Sequence, residues 1–196
     1  MKLKDLYSQC RRDCGPDFEF MCSLVGLSNA SILKDLADKQ SPKFLLDRSR
    51  QTQQLPHGLI CGVSPNELLG VAVNTMGNGW SCLVTDRRWT PGMLMCGDLL
   101  YVRGTGLLNT QLDPGDQFVE PEVDSHVVTV YSVDGEGEQL TVVNPDRRKV
   151  GARSFRHAVN GFFVISFDQL IDIWDVKRPD GSEHSRVVLS ISDTRR

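Results

Sequence analysis

The chain has 196 residues, 40% of them hydrophobic and 24% charged, with a formal net charge of −3. That length fits a single domain, 1–196, with a core of its own, and no apolar run approaches the about 20 residues that a membrane helix needs. The acidic balance removes the electrostatic case for nucleic acid or an anionic membrane surface as partner.

The opening MKLKDLYSQ carries two lysines with no apolar stretch behind them, so no secretory signal is readable. The chain is expected to be cytoplasmic or exported by a dedicated secretion system. From Gly15 to about Leu27, the residues Phe18, Met21, Cys22 and Val25 recur at helical spacing with Pro16 in the first turn. This predicts a core-facing helix with Cys14 beside its N-cap. ASILKDLADK predicts a second helix with Ile32, Leu33 and Leu36 on its apolar face, and residues 40–63 read as irregular surface chain.

The strongest helix signal is SPNELLGVAVNTMG: Ser64 caps, Pro65 takes the first position, Glu67 completes a capping box and Gly77 ends it. Leu68, Leu69, Ala72 and Val73 should be its core face. WSCLV around Cys82 reads as an apolar strand. Thr90-Pro91 starts a short helix that leads into the apolar run DLLYVRG, and residues 104–124 read as a long surface loop.

HVVTVYSVDGEGEQLTVVNP alternates apolar and polar residues on both sides of DGEGE, a hairpin signal. FFVI predicts a strand, SFDQLIDIW a helix capped by Ser166 with Gln169 at the box position, and RVVLSI a closing strand. Helices first and an antiparallel sheet after is an α+β order.

The six cysteines are Cys10, Cys14, Cys22, Cys61, Cys82 and Cys96, in a chain too large to need disulfide staples, and reduced thiols are expected. No Cys-x-x-Cys pair occurs and His57, His126, His157 and His184 are scattered singly, so neither a metal nor another cofactor is expected. A nucleophilic thiol needs a base within hydrogen-bond reach, and the base needs a third group to fix its tautomer. His126 opens the first hairpin strand and Asn144 closes the second, so antiparallel pairing brings them together. Cys14, just ahead of a helix entry that favours thiolate, completes the set.

The segments DCGPDFEFMCSLVG and HVVTVYSVD…LTVVNP, in this order and spacing, resemble papain-like cysteine peptidases. The similarity is greatest to the bacterial branch, the double-glycine leader peptidases and the papain-like effectors of plant pathogens. It covers roughly residues 8–26 and 93–146, together with the SFDQLIDIW helix.

The resemblance implies a two-lobed papain-like domain with N-terminal helices packed on a C-terminal antiparallel sheet. It implies a thiol hydrolase acting on protein or peptide amide bonds, an effector, toxin or processing peptidase, with Cys14 as nucleophile, His126 as base and later acid, and Asn144 as the residue that orients the imidazole. Asp146, two residues beyond Asn144, is the alternative third member.

The family places an oxyanion-donating glutamine six residues before its nucleophile. Ser8 occupies that position here and Gln9 stands one nearer, so Gln9 is the expected donor and the Ser8 hydroxyl the alternative.

Three other readings compete. Deamidation of glutamine or acyl transfer uses the same triad. A cell-wall amidase reading would make Cys82 the nucleophile, but Cys82 lacks a helix N-terminus and reads as core, as do Cys22, Cys61 and Cys96. A binding module on a papain-like shell would use Trp80, Trp89 and Trp174 as contact or core aromatics.

Overall fold

A computed structural model describes residues 5–8, 10–15, 21–36, 39–52, 55, 63–76, 79–85, 90–110, 126–145, 161–174 and 186–191. Two capping boxes form where the sequence places them. Glu67 accepts from the Ser64 amide at 2.8 Å and its own amide returns to the Ser64 hydroxyl, opening a helix over Pro65–Met76. The Ser166 amide donates to Gln169 at 2.9 Å and the Gln169 amide returns to the Ser166 hydroxyl, opening one over Phe167–Trp174.

In chain order the elements are α1 (Arg11–Cys14), α2 (Cys22–Leu33), α3 (Pro42–Gln51), α4 (Pro65–Met76), β1 (Trp80–Thr85), a 3-10 turn (Pro91–Met93), β2 (Leu99–Val102), α5 (Gly104–Asn109), β3 (His126–Asp134), β4 (Gln139–Val143), β5 (Phe162–Ser166), α6 (Phe167–Trp174) and β6 (Arg186–Ile191). The six strands form one antiparallel sheet in the order β1-β6-β2-β3-β4-β5. The chain is thus α+β.

Alternation along the strands divides the apolar side chains between two faces. Leu99, Tyr101, Val127 and Leu189 pack with α2, α3 and α4, while Leu100, Val102, Val128, Val130, Leu140, Val142, Phe163 and Ile165 pack with Leu107 of α5 and Leu170, Ile173 and Trp174 of α6. All four residues of β2 are buried, which is why that strand reads as a continuous apolar run. SFDQLIDIW forms the helix and WSCLV the strand that the sequence predicts: α6, with α5, covers the second face, and β1 pairs with β6.

Three local expectations are corrected. Within the span expected as a helix over Gly15–Leu27, α2 opens at Cys22 and runs on to Leu33 through the start expected at Ala30, while residues 16–20 lie outside the described residues. Every residue from Ser23 to Ser31 is buried, so α2 has no polar face whose period would mark its ends. The chain expected to be irregular over 40–63 contains α3, opened by Ser41, whose hydroxyl accepts from the Phe44 amide at 3.2 Å, with Pro42 at its first position. The loop expected at 104–124 begins with α5. Among the described residues no helix is long and apolar enough to cross a membrane.

Candidate functional site

Helix α2 lies against β3 at an unusually close approach. A Cβ on Gly26 would stand 3.1 Å from Val127 Cγ1 and 3.2 Å from Leu99 Cδ2. The buried Thr129 hydroxyl donates to the Gly26 carbonyl at 3.3 Å, fixing the helix along the strand. Cys22 lies one turn before Gly26 on the same helix face, so this seating brings it to the start of β3, where His126 stands.

Cys22 is half-buried at the first position of the 12-residue helix α2. Burial pushes its thiol up. The hydrogen bond and charge of His126, the Val127 amide and the Ser23 hydroxyl more than reverse this, and the net shift is downward. Met21, ahead of it, provides no side-chain cap. The first amides of α2 have no intrahelical acceptor, and they and the helix dipole favour negative charge there.

The imidazole of His126 bridges to the third residue. Its Nε2 lies 2.7 Å from Asn144 Oδ1. An amide oxygen only accepts, so Nε2 carries the proton and donates, leaving Nδ1 as the acceptor for the thiol. Extending the Thr129–Val143 register by one residue puts Asn144 opposite Val128 and diagonal to His126. The Asn144 amide donates to the Gly161 carbonyl at 2.8 Å, and the residue is buried.

The structure therefore brings His126 and Asn144 together as the hairpin predicts, but the thiol that meets the imidazole belongs to Cys22. Cys14 ends α1 and is followed by Gly15 at φ 74°. Its side chain is 1% exposed and its thiol donates to the Ser8 carbonyl at 3.4 Å. Burial pushes it up to about 11, opposed by a backbone hydrogen bond with Cys10 and aided by the charges of Cys10 and Asp13. Cys14 is a packed protonated thiol.

The signal that points to Cys22 is weak in sequence: a cysteine with a glycine one turn on, in a run of small residues suited to close helix–sheet packing.

Of the oxyanion candidates, Ser8 is buried and already engaged. Its amide and hydroxyl both donate to Asp13 Oδ2, at 2.8 and 3.0 Å, and its hydroxyl lies 3.1 Å from Cys10 Sγ. Gln9, Asp146 and the side chain of Cys82 lie outside the described residues. The segment before Gln9 is tied to α2 by Asn29, whose Oδ1 accepts from the Tyr7 amide at 2.8 Å and whose Nδ2 donates to the Tyr7 carbonyl at 3.1 Å. Cys10, Cys14, Cys22 and Cys96 carry free thiols, and among the described residues no three His, Cys, Asp or Glu side chains converge in a way that could hold a metal ion.

No known family model matches the chain, and no curated protein matches it.

Proposed function

We propose that this protein is a papain-like thiol hydrolase acting on amide bonds of proteins or peptides, with Cys22 as nucleophile, His126 as base and acid, and Asn144 holding the imidazole. The observation that carries this reading is the arrangement of His126 between two partners, the Cys22 thiol on one side and the Asn144 amide oxygen on the other. A structural histidine would gain little from a depressed thiol, whereas a nucleophile requires one.

The chemistry follows from the geometry. The thiol proton moves to His126 Nδ1 and the Cys22 sulfur attacks the amide carbon, putting the carbonyl electrons on oxygen at the α2 N-terminus. Collapse breaks the C–N bond, and the imidazolium gives its proton to the departing amine. The thioester that remains is attacked by water, whose proton His126 accepts, and the C–S bond breaks to release the acid and the thiol. Asn144 keeps Nε2 protonated throughout, so Nδ1 alone cycles.

The same intermediate serves a glutamine side chain, giving deamidation, or an amine acceptor, giving acyl transfer. Intact mass of a candidate target incubated with the protein tests the reading. Peptide-bond hydrolysis yields fragments, and deamidation adds about 1 Da, each lost in Cys22→Ala. Products that persist in Cys22→Ala would refute the assignment.

A further inference from the structure

Methionine sulfur widens the set of groups that can hold a metal, and the segment between the 3-10 turn and β2 is rich in sulfur. Met93, Met95 and Cys96 fall within four residues. Leu94 between the methionines is buried and extended, with φ −72° and ψ 150°, and turns both neighbours away from the core. Met93 is 55% exposed and Met95 56%, and Cys96 beside them is an exposed free thiol. Packing gives no reason for two such side chains here.

The backbone that presents them is held from beneath. The Asp98 amide donates to the Met95 carbonyl at 3.0 Å, closing a turn with Cys96 at its second position and Gly97, φ 85°, at its third. Asp98 is buried. Its Oδ2 accepts from the Met95 amide and its Oδ1 from the Ser190 hydroxyl, both at 2.8 Å, and Oδ1 also pairs with Lys34 Nζ at 3.3 Å. The Gly97 amide donates to the Val130 carbonyl at 2.8 Å, and a Cβ on Gly97 would stand 2.6 Å from Lys34 Cγ. Lys34 follows the last residue of α2, so the turn lies at the end of that helix opposite Cys22, about 18 Å away over its 12 residues.

Thioether and thiolate sulfur are soft ligands that select Cu(I), whereas Zn²⁺ takes thiolate, imidazole or carboxylate. Methionine is unbranched and bends through three torsions, so two methionines leaving one short, anchored segment can close on a metal held by the neighbouring thiol. We propose that Met93, Met95 and Cys96 form a binding site for a single Cu(I) ion, with two thioethers and one thiolate as ligands. On uptake the Cys96 S–H bond breaks, the sulfur takes the metal and the proton passes to solvent. No electron moves, because the copper enters already reduced. The site is separate from Cys22, His126 and Asn144 and does not depend on their assignment.

Anaerobic titration of the full, reduced chain against the Cu(I) complex of bathocuproine disulfonate measures uptake as loss of the absorbance of that complex. Wild type is expected to withdraw one equivalent of Cu(I) more than Cys96→Ser, and Cys22→Ala to match wild type. Met93→Leu combined with Met95→Leu keeps the thiol and the apolar volume and removes both thioethers. The affinity for that equivalent should then fall by about 10–100-fold or more, since even groups behind the ligands of a metal are worth that much.

Equal uptake by wild type and Cys96→Ser overturns the site. Unchanged affinity in the double methionine variant overturns it as well, by placing the copper on thiols alone, and loss of the extra equivalent in Cys22→Ala would move the metal to the other end of α2. Melting supplies a second reading. All three side chains are exposed, so the midpoints should agree without copper, and excess Cu(I) should raise that of wild type above that of Cys96→Ser. A midpoint raised equally in both contradicts the assignment.

Discussion

Cys14 closes one short helix and Cys22 opens a long one, and the two thiols, eight positions apart in the chain, have opposite chemistry. Cys14 is sealed in the core beside the Asp13 carboxylate, with its proton on the Ser8 carbonyl. Cys22 is half-open, on a helix N-terminus, against an imidazole. Burial pushes both thiols up, and only Cys22 has a cationic partner that reverses the shift. A cysteine in an amphipathic segment thus says little about reactivity until its partner is known.

Substitutions at the two sites should separate them most widely. Cys22→Ala should abolish turnover, a loss on the order of 10⁵–10⁶-fold for a nucleophile, while leaving the thermal midpoint nearly unchanged. Cys14→Ala should keep turnover within a few-fold and lower the midpoint, because it leaves a small cavity in a packed core. Turnover and melting of both variants, measured side by side, check this. Full activity in Cys22→Ala would invert the comparison.

Loss of the imidazole comes next. His126→Ala should reduce kcat by about 10²–10⁴-fold or more, as expected for a missing acid–base group, and let burial push the Cys22 thiol upward. Asn144→Ala should reduce kcat less, since it orients the ring and does not exchange protons. The alkylation pH profile of Cys22 in each variant distinguishes a catalytic loss from a misfolded hairpin. An unchanged profile in His126→Ala would separate the imidazole from the thiol.

Alkaline unfolding sharpens the contrast at Cys14. Its folded pKa is raised from an ordinary 9.0 to about 11, so its protonated form contributes stability that is fully present below pH 9 and lost as pH rises through 11. The stability advantage of wild type over Cys14→Ala should therefore shrink between pH 9 and 11 by about 2–3 kcal/mol, at about 1.4 kcal/mol per unit. Cys22 has the opposite sign, with its contribution present above the ordinary thiol range and lost as pH falls through its depressed value. Denaturant titrations at pH 8, 10 and 11 read both. A constant Cys14→Ala difference across that range would contradict the buried, protonated thiol.

The smallest expected effect is at the helix seat. Gly26→Val overpacks against Val127 and Leu99 and should cost about 1–3 kcal/mol. It should also shift the Cys22 alkylation midpoint upward, because the whole helix is displaced from β3. A melting change with no shift in that midpoint would mean that Gly26 serves packing alone.

The sequence made most of the fold legible. The capping boxes at Ser64 and Ser166, the hairpin and the apolar run of β2 all depend on local chemistry that survives in the structure. His126 and Asn144 were legible for the same reason, since strand pairing is a local rule with a known geometry.

Helix α2 was not legible. Buried from Ser23 to Ser31, it has no amphipathic period to mark its first residue. The start expected at Gly15 put the candidate thiol at Cys14, the last residue of α1, whereas the thiol beside His126 is that of Cys22, the first residue of α2. Helix α3 was missed although Ser41-Pro42 is a sound start signal, because the polar residues that follow dilute its apolar face to Leu45, Leu46 and the proline itself.

The central claim is that Cys22, and not Cys14, is the activated thiol. Competition alkylation of the folded protein with isotope-coded iodoacetamide, read by peptide mass spectrometry from pH 5 to 10, measures it at every cysteine at once. The account predicts that Cys22 is modified fastest near neutral pH, with a midpoint below the ordinary 9.0, and that Cys14 is protected until the protein unfolds. Rapid modification of Cys14 with Cys22 inert in folded protein would contradict it.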